Sequence, residues 1–206
     1  EAAGGWGGVV LMNAQNPANA RYHTQSLAEI ARAQGKDPAD AAWDLVAQGA
    51  GRVMAVYHMM SEPDIETALR FPWTSIGSDA GAVNPAQARD ATGLPHPRAY
   101  GNHVRVISRY VKARGVLRLE EAVRKMTSWP ATRMRLADRG VIRVGAWADV
   151  TIFDLAALDD RASYADPTAS PTGIDWVLVN GVVVLEGGTH TGARPGQVLR
   201  GPGWAK

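Results

Sequence analysis

Apolar positions along the chain follow helical and strand rhythms that predict an alternation of elements. "GGVVLMNA" is a short continuous apolar run bounded by glycines and by Asn16-Pro17, the pattern of a buried strand. In "SLAEIARAQG" the apolar residues recur at helical spacing. Ser26 and Glu29 make a capping box there, and Gly35 can supply the left-handed residue that ends the helix. Asp37-Pro38 opens a second helix, with Ala42, Leu45 and Val46 on one face. "GRVMAVYHMM" reads as a strand. Ser61-Glu62-Pro63-Asp64 starts a third helix that turns Ile65, Ala68 and Leu69 inward, and Pro72 stops it. "WTSIGS" reads as a short buried strand. After a long polar loop, Val104, Ile107 and Val111 return to helical spacing, as do Leu119, Ala122, Val123 and Met126. Pro130 begins a further short helix that reaches Gly140.

Beyond Gly140 the rhythm changes. "GVIRVGAWADVTIFDL" and "IDWVLVNGVVVLEGG" are rich in strand-forming residues, and Asn180-Gly181 is a strong hairpin turn. Helix–strand alternation followed by a β-rich tail predicts α/β packing with a smaller β domain. Trp43, Trp147 and Trp176 fall in apolar patterns and are expected in cores. Arg105, Arg109 and Lys112 share a helix face and are expected to be solvated.

Composition changes this picture little. The 206 residues are 46% apolar and 20% charged, as in ordinary globular proteins. A formal charge of +2 with no dense Lys/Arg tract argues against a nucleic-acid partner. No apolar run approaches the roughly 18 residues of a membrane helix, so no membrane partner is expected. Cysteine is absent, which removes disulfides and thiolate metal sites and fits a reducing, cytoplasmic location. The start "EAAGGWGGVV" has neither an initiator Met nor a signal pattern, and the expectation is a chain that begins inside a longer protein.

One junction carries candidate chemistry. The apolar run ends in Gly77-Ser78-Asp79, and Arg98 follows nineteen positions later, between Pro97 and Tyr100. Parallel α/β folds place active groups at such strand-to-loop junctions. An arginine fork suits a ligand carboxylate. Either residue alone also fits a plain role, Asp79 as a turn aspartate and Arg98 as a surface charge. The histidines are His23, His58, His96, His103 and His190. They contain no His-x-His pair, and their spacing suggests no metal cluster. His58 suits a hydrogen-bonded core or pocket histidine, and His190 a polar turn.

"IGSDAGA", "HPRAYGNHVRVISRYV", "LEEAVRKMTSWPATRMRLADRGVIRVGAWADVTIFD" and "PTGIDWVLVNGVVVLEGGTHTGARPGQVLR" together resemble the C-terminal part of the N-acyl-D-amino-acid deacylases (D-aminoacylases) of the amidohydrolase superfamily. "HPR-x-YG", "THTGA-x-PG" and "YHMMSEPDI" point to the deacylase branch, whereas "G-x-I-x-x-G-x-x-A-D-V" is common to most amidohydrolases. The resemblance implies the C-terminal part of a TIM-like (β/α)8 barrel plus part of a small β-sandwich. Residues 1–60 would form an inserted subdomain covering the active site. Residues 61–139 would be the last helix–strand–helix segment of the barrel, with "WTSIGS" as its eighth strand. Residues 140–206 would be sandwich strands and tail.

The resemblance further implies a zinc centre of one or two ions that cleaves the amide of an N-acyl-D-amino acid. Asp79 would touch the metal and act as general base and acid. Arg98 would bind the substrate's α-carboxylate, and Tyr57 and Met60 would line the pocket for its apolar part. The remaining metal ligands are expected outside this chain, on an N-terminal part of the same enzyme. His96 belongs to the motif without an assigned role. Ala80 stands where the family often has glycine, His103 replaces a usual aromatic, and the loop from Asp79 to Arg98 is long for the branch. The alternatives are another amide hydrolase of the superfamily, dihydroorotase-like or dipeptidase-like, and a non-catalytic binding subunit from a split barrel.

Overall fold

The structure is a computed structural model that describes residues 2–81, 94–201 and 203–204. Most of the long loop between Asp79 and Arg98, residues 82–93, lies outside the described residues. The chain divides into two compact units. The first comprises Glu1–Ile65, Asp79–Tyr100 and Ala162–Ala169, and the second Glu66–Ser78, Gly101–Arg161 and Ser170–Lys206.

In the first unit, β1 (Val9–Asn13) pairs antiparallel with β2 (Met54–Tyr57). Two helices follow β1, α1 (Leu27–Gln34) and α2 (Pro38–Gln48). The start of α1 is the expected capping box: Glu29 N–H donates to Ser26 Oγ, and Ser26 N–H donates to Glu29 Oε2 at 2.8 Å. Those hydrogen bonds from Ser26 hold the Glu29 carboxyl below its usual range. Gly35 ends the helix at φ 62°, a conformation that glycine adopts without a Cβ penalty. Asp37 caps α2 through the Ala39 N–H. Leu11, Ala14, Tyr22, Leu27, Ile30 and Leu45 form the core. On α2 the buried stripe is Ala41 and Leu45, whereas Val46 is exposed. The stripe is therefore turned by about one residue from the expected face. Trp43 is 72% exposed on the same helix, contrary to the core expectation. A helical rhythm identifies an apolar residue but not what covers it.

α3 (Glu62–Arg70) starts where Ser61 Oγ accepts the Asp64 N–H, and it ends two residues before Pro72. Only Leu69 of its expected inward residues is buried. The segment Trp73–Ser78 forms no strand, contrary to expectation, and Trp73 is exposed. A buried strand needs partners on both edges. Here Ile76 N–H bonds a helix carbonyl, that of Lys125, at 3.1 Å.

The second unit packs helices with a four-stranded antiparallel sheet. α4 (Arg98–Arg105), whose residues from Gly101 onward belong to this unit, continues as a π-helical stretch, Val106–Ala113. α5 (Leu119–Met126) and α6 (Ser128–Arg133) follow, and Pro130 sits inside α6 rather than opening it. The sheet order is β3 (Val150–Phe153), β4 (Ile174–Val179), β5 (Val182–Glu186) and β6 (Thr189–His190). The β-rich reading holds for these strands, but residues 141–149 are irregular. Val104, Ile107 and Leu158 centre the core, with Leu119, Met126 and Phe153 packed on it. Trp147 and Trp176 are exposed rather than buried, and the Arg139 guanidinium lies 5.3 Å from the Trp147 ring centre.

Arg105 and Lys112 are more than solvated charges. Arg105 Nε donates to the buried Asp160 carboxylate at 2.7 Å. Lys112 Nζ donates to the carbonyls of Ala156 and Leu158. Gly101 is required beside them, because a Cβ there would meet Asp160 Oδ1 at 2.0 Å. Asn180 (φ 50°) and Gly181 (φ 81°) form the left-handed pair of the β4–β5 hairpin. Gly181 N–H donates to Ala148 O at 2.9 Å. Asn180 Oδ1 accepts from Arg139, and its Nδ2 donates to Pro195 O.

Candidate active site

Asp79 and Arg98 meet within the first unit. Arg98 Nη2 lies 2.8 Å from Asp79 Oδ2, and Arg98 Nε donates to the Asp79 backbone carbonyl at 3.1 Å. The guanidinium thus grips one residue at both its side chain and its main chain. Asp79 adopts φ 49°, a left-handed conformation that aspartate tolerates better than most residues. Its side chain is 84% exposed and that of Arg98 44% exposed. An ion pair this open is worth at most about 1 kcal/mol and exchanges readily with a competing carboxylate.

The turn before Arg98 is built by His96 and Pro97. His96 Nδ1 accepts the Arg98 N–H at 3.0 Å, and the Ala99 N–H donates to the His96 carbonyl. An accepting Nδ1 places the proton of the neutral ring on Nε2. That Nε2 faces the Tyr164 hydroxyl at 3.4 Å, with the two rings edge to face and 5.4 Å between centres. The Tyr164 ring also meets His58, with ring centres 5.0 Å apart and a tilt of 57°. His58 Nδ1 lies 3.1 Å from Gly8 O, and its own N–H bonds the same carbonyl at 2.9 Å. Tyr57 and Met60, on either side of His58 in sequence, are exposed. None of the hydrogen bonds or ring contacts among the described residues joins them to Asp79 or Arg98.

Tyr164 had no distinguishing mark in the sequence, since "RASYADP" reads as an ordinary loop. Its contacts come from residues about 70 and 100 positions away, which periodicity does not reach. Among the described residues, no three His, Asp or Glu side chains lie close enough to hold a metal ion. A separate cavity of about 720 Å³ lies in the second unit, lined mainly by aliphatic side chains such as Ile107, Val123, Met126 and Val150. None of Tyr57, Met60, Asp79 and Arg98 lines it. No described helix is long and apolar enough to cross a membrane.

An N-acyl-D-glutamate deacylase of Alcaligenes xylosoxydans xylosoxydans is 43% identical over 176 residues, 85% of this chain and 33% of that protein. A D-aminoacylase of the same organism is 40% identical over 85% of this chain and 34% of its own length. Among solved structures, the N-acyl-D-glutamate deacylase of Bordetella bronchiseptica, complexed with zinc and a phosphonate mimic of the tetrahedral intermediate, is 35% identical with a TM-score of 0.78. That match covers 96% of this chain and 38% of that one. The chain therefore spans about a third of the length of the curated relatives it matches. The amidohydrolase family matches residues 2–185. On that match, which takes in the turns carrying Asp79 and Arg98 and most of the β-rich tail, the chain belongs to the amidohydrolase family.

Proposed function

We propose that this chain is the C-terminal portion of a zinc-dependent N-acyl-D-amino-acid deacylase, which hydrolyses an N-acyl-D-amino acid to a carboxylate and a free D-amino acid. The observation that carries the reading is the Asp79–Arg98 pair. The two side chains, nineteen residues apart in sequence, come to 2.8 Å, and in this reading they would serve as general base and carboxylate receptor. Residues 73–78 would become the last strand of a (β/α)8 barrel once their neighbours are present. Residues 1–60 would cover the site, and residues 140–206 would belong to the small β-sandwich.

When bound, zinc would supply a Lewis acid and a water of lowered pKa. The described residues offer it Asp79 but no cluster of further donors, so its nitrogen ligands would come from an N-terminal part of the protein. Asp79 would accept a proton as the C–O bond forms, and deliver it to the amine as the C–N bond breaks. Arg98 would release Asp79 and take the substrate's α-carboxylate, fixing which amide faces the base. Tyr57 and Met60 would receive the apolar part of the substrate.

Two substitutions in the complete enzyme test this. Asp79→Asn keeps size but loses the base, and should lower kcat by on the order of 10²–10⁴. Arg98→Lys replaces a planar fork with a point charge, and should weaken kcat/KM on acid substrates far more than on their α-carboxamides. Turnover of Asp79→Asn near the wild-type value, or equal losses on acid and amide, would contradict the assigned roles.

A further inference from the structure

Tyr164, from the 162–169 segment, contacts a histidine beside each part of the proposed binding surface. Its ring meets His58, which stands between Tyr57 and Met60 in sequence. It also meets His96, whose Nδ1 holds the Arg98 N–H. Each histidine is tied to backbone by its other contacts: His58 to Gly8 O, and His96 to the first turn of α4. The tyrosine ring therefore links two anchored segments.

We propose that Tyr164 is a positioning residue that sets the separation between the carboxylate-binding Arg98 and the Tyr57–Met60 pocket. This rests on the deacylase reading for the substrate and for the roles of Arg98, Tyr57 and Met60; the contacts of Tyr164 with the two histidines stand apart from it. The ring carries the effect. The hydroxyl contact to His96 is long, at 3.4 Å, whereas the ring itself is in contact with both imidazoles. A substrate held at its α-carboxylate and at its side chain senses that separation directly. A ligand held at one end only does not.

Two measurements on the complete enzyme test the proposal. The first is kinetic, with Tyr164→Phe, Tyr164→Leu and Tyr164→Ala. Loss of the ring in the Leu and Ala variants should lower kcat/KM for N-acyl-D-amino acids by on the order of 10²-fold, the cost of about 1 Å of misplacement. Tyr164→Phe should recover most of that loss. On α-carboxamide substrates, which lack the group held by Arg98, the Leu and Ala variants should lose far less. An equal loss on acid and amide would reduce Tyr164 to a structural residue and overturn the proposal, as would a Phe variant as poor as Ala.

The second measurement is the histidine ring spectrum by NMR, assigned with His58→Gln and His96→Gln. Both ring signals should shift in Tyr164→Leu and hold in Tyr164→Phe, with His96 in the form protonated at Nε2. A shift of only one ring, or of neither, would show that Tyr164 does not bridge the two turns. A wild-type enzyme inactive on N-acyl-D-amino acids would sink the proposed function alone, and the ring spectrum would then decide the bridging role by itself.

Discussion

His23 accepts the backbone N–H of Ala14 through Nε2 at 3.3 Å, beside the core of the first unit. Burial holds its ring below the ordinary histidine value. Protonation would also replace the accepting lone pair with a second donor. The unfolded chain takes up this proton first, near pH 6.5. The stabilising contribution is thus whole above that value, and is lost as pH falls through the folded value. Thermal melts between about pH 7.5 and about pH 5.5 should show a loss of stability that His23→Gln partly flattens. Equal slopes in both proteins would remove His23 from the acid response. Residue-scale legibility in the sequence was uneven. Asp79 and Arg98 stood out by their motif, but their ion pair spans a loop whose path no spacing rule gives. His96 holds Arg98 from two residues away, but Tyr164 reaches both histidines across long sequence separations, which no spacing rule gives.

Lys125 shows how an element is held in place. It is fully buried on α5, and its Nζ donates to the carbonyls of Phe71 and Thr74 while Glu121 lies 3.5 Å away. Its own carbonyl accepts the Ile76 N–H. Side chain and backbone together thus secure the segment after α3 that no strand pairing secures. Lys125→Met would keep the aliphatic stem but leave two carbonyls without their charged donor. A loss of about 1–3 kcal/mol in urea unfolding is expected, and an unchanged midpoint would contradict the tether. At this scale local chemistry was a good guide. Ser26, Glu29 and Gly35 bounded α1, and Asn180-Gly181 placed the β4–β5 turn, because capping and turn geometry are decided within a few residues. "WTSIGS" misled for the opposite reason: a strand is a property of its neighbours as much as of its own residues.

Large apolar side chains stand exposed in both units. Ile142 is 92% exposed, Val144 is fully exposed, and Met60, Val198, Trp43 and Met134 are mostly exposed. Large apolar side chains this exposed are the ones that other protein would cover. If the proposed function holds, the cover is the remaining two thirds of the enzyme, which would also carry the metal nitrogens. Residues 1–206 expressed alone should then self-associate, retain little zinc and show no deacylase turnover, read by sedimentation, metal analysis and assay. A monomer that binds zinc tightly and turns over an N-acyl amino acid would contradict this. The α/β character was legible from alternating rhythms. The division into two units was not, because each unit gathers segments from distant parts of the chain.

The Asn180-Gly181 turn also bears on how the protein ages. In a flexible chain an Asn-Gly pair is chemically fragile, since the glycine nitrogen attacks the asparagine side-chain carbonyl and expels ammonia. Here that nitrogen is committed to Ala148 O, while Arg139 and Pro195 hold the asparagine amide at both ends. The hairpin therefore shields its own weakest covalent point, and deamidation at Asn180 becomes a record of time spent unfolded.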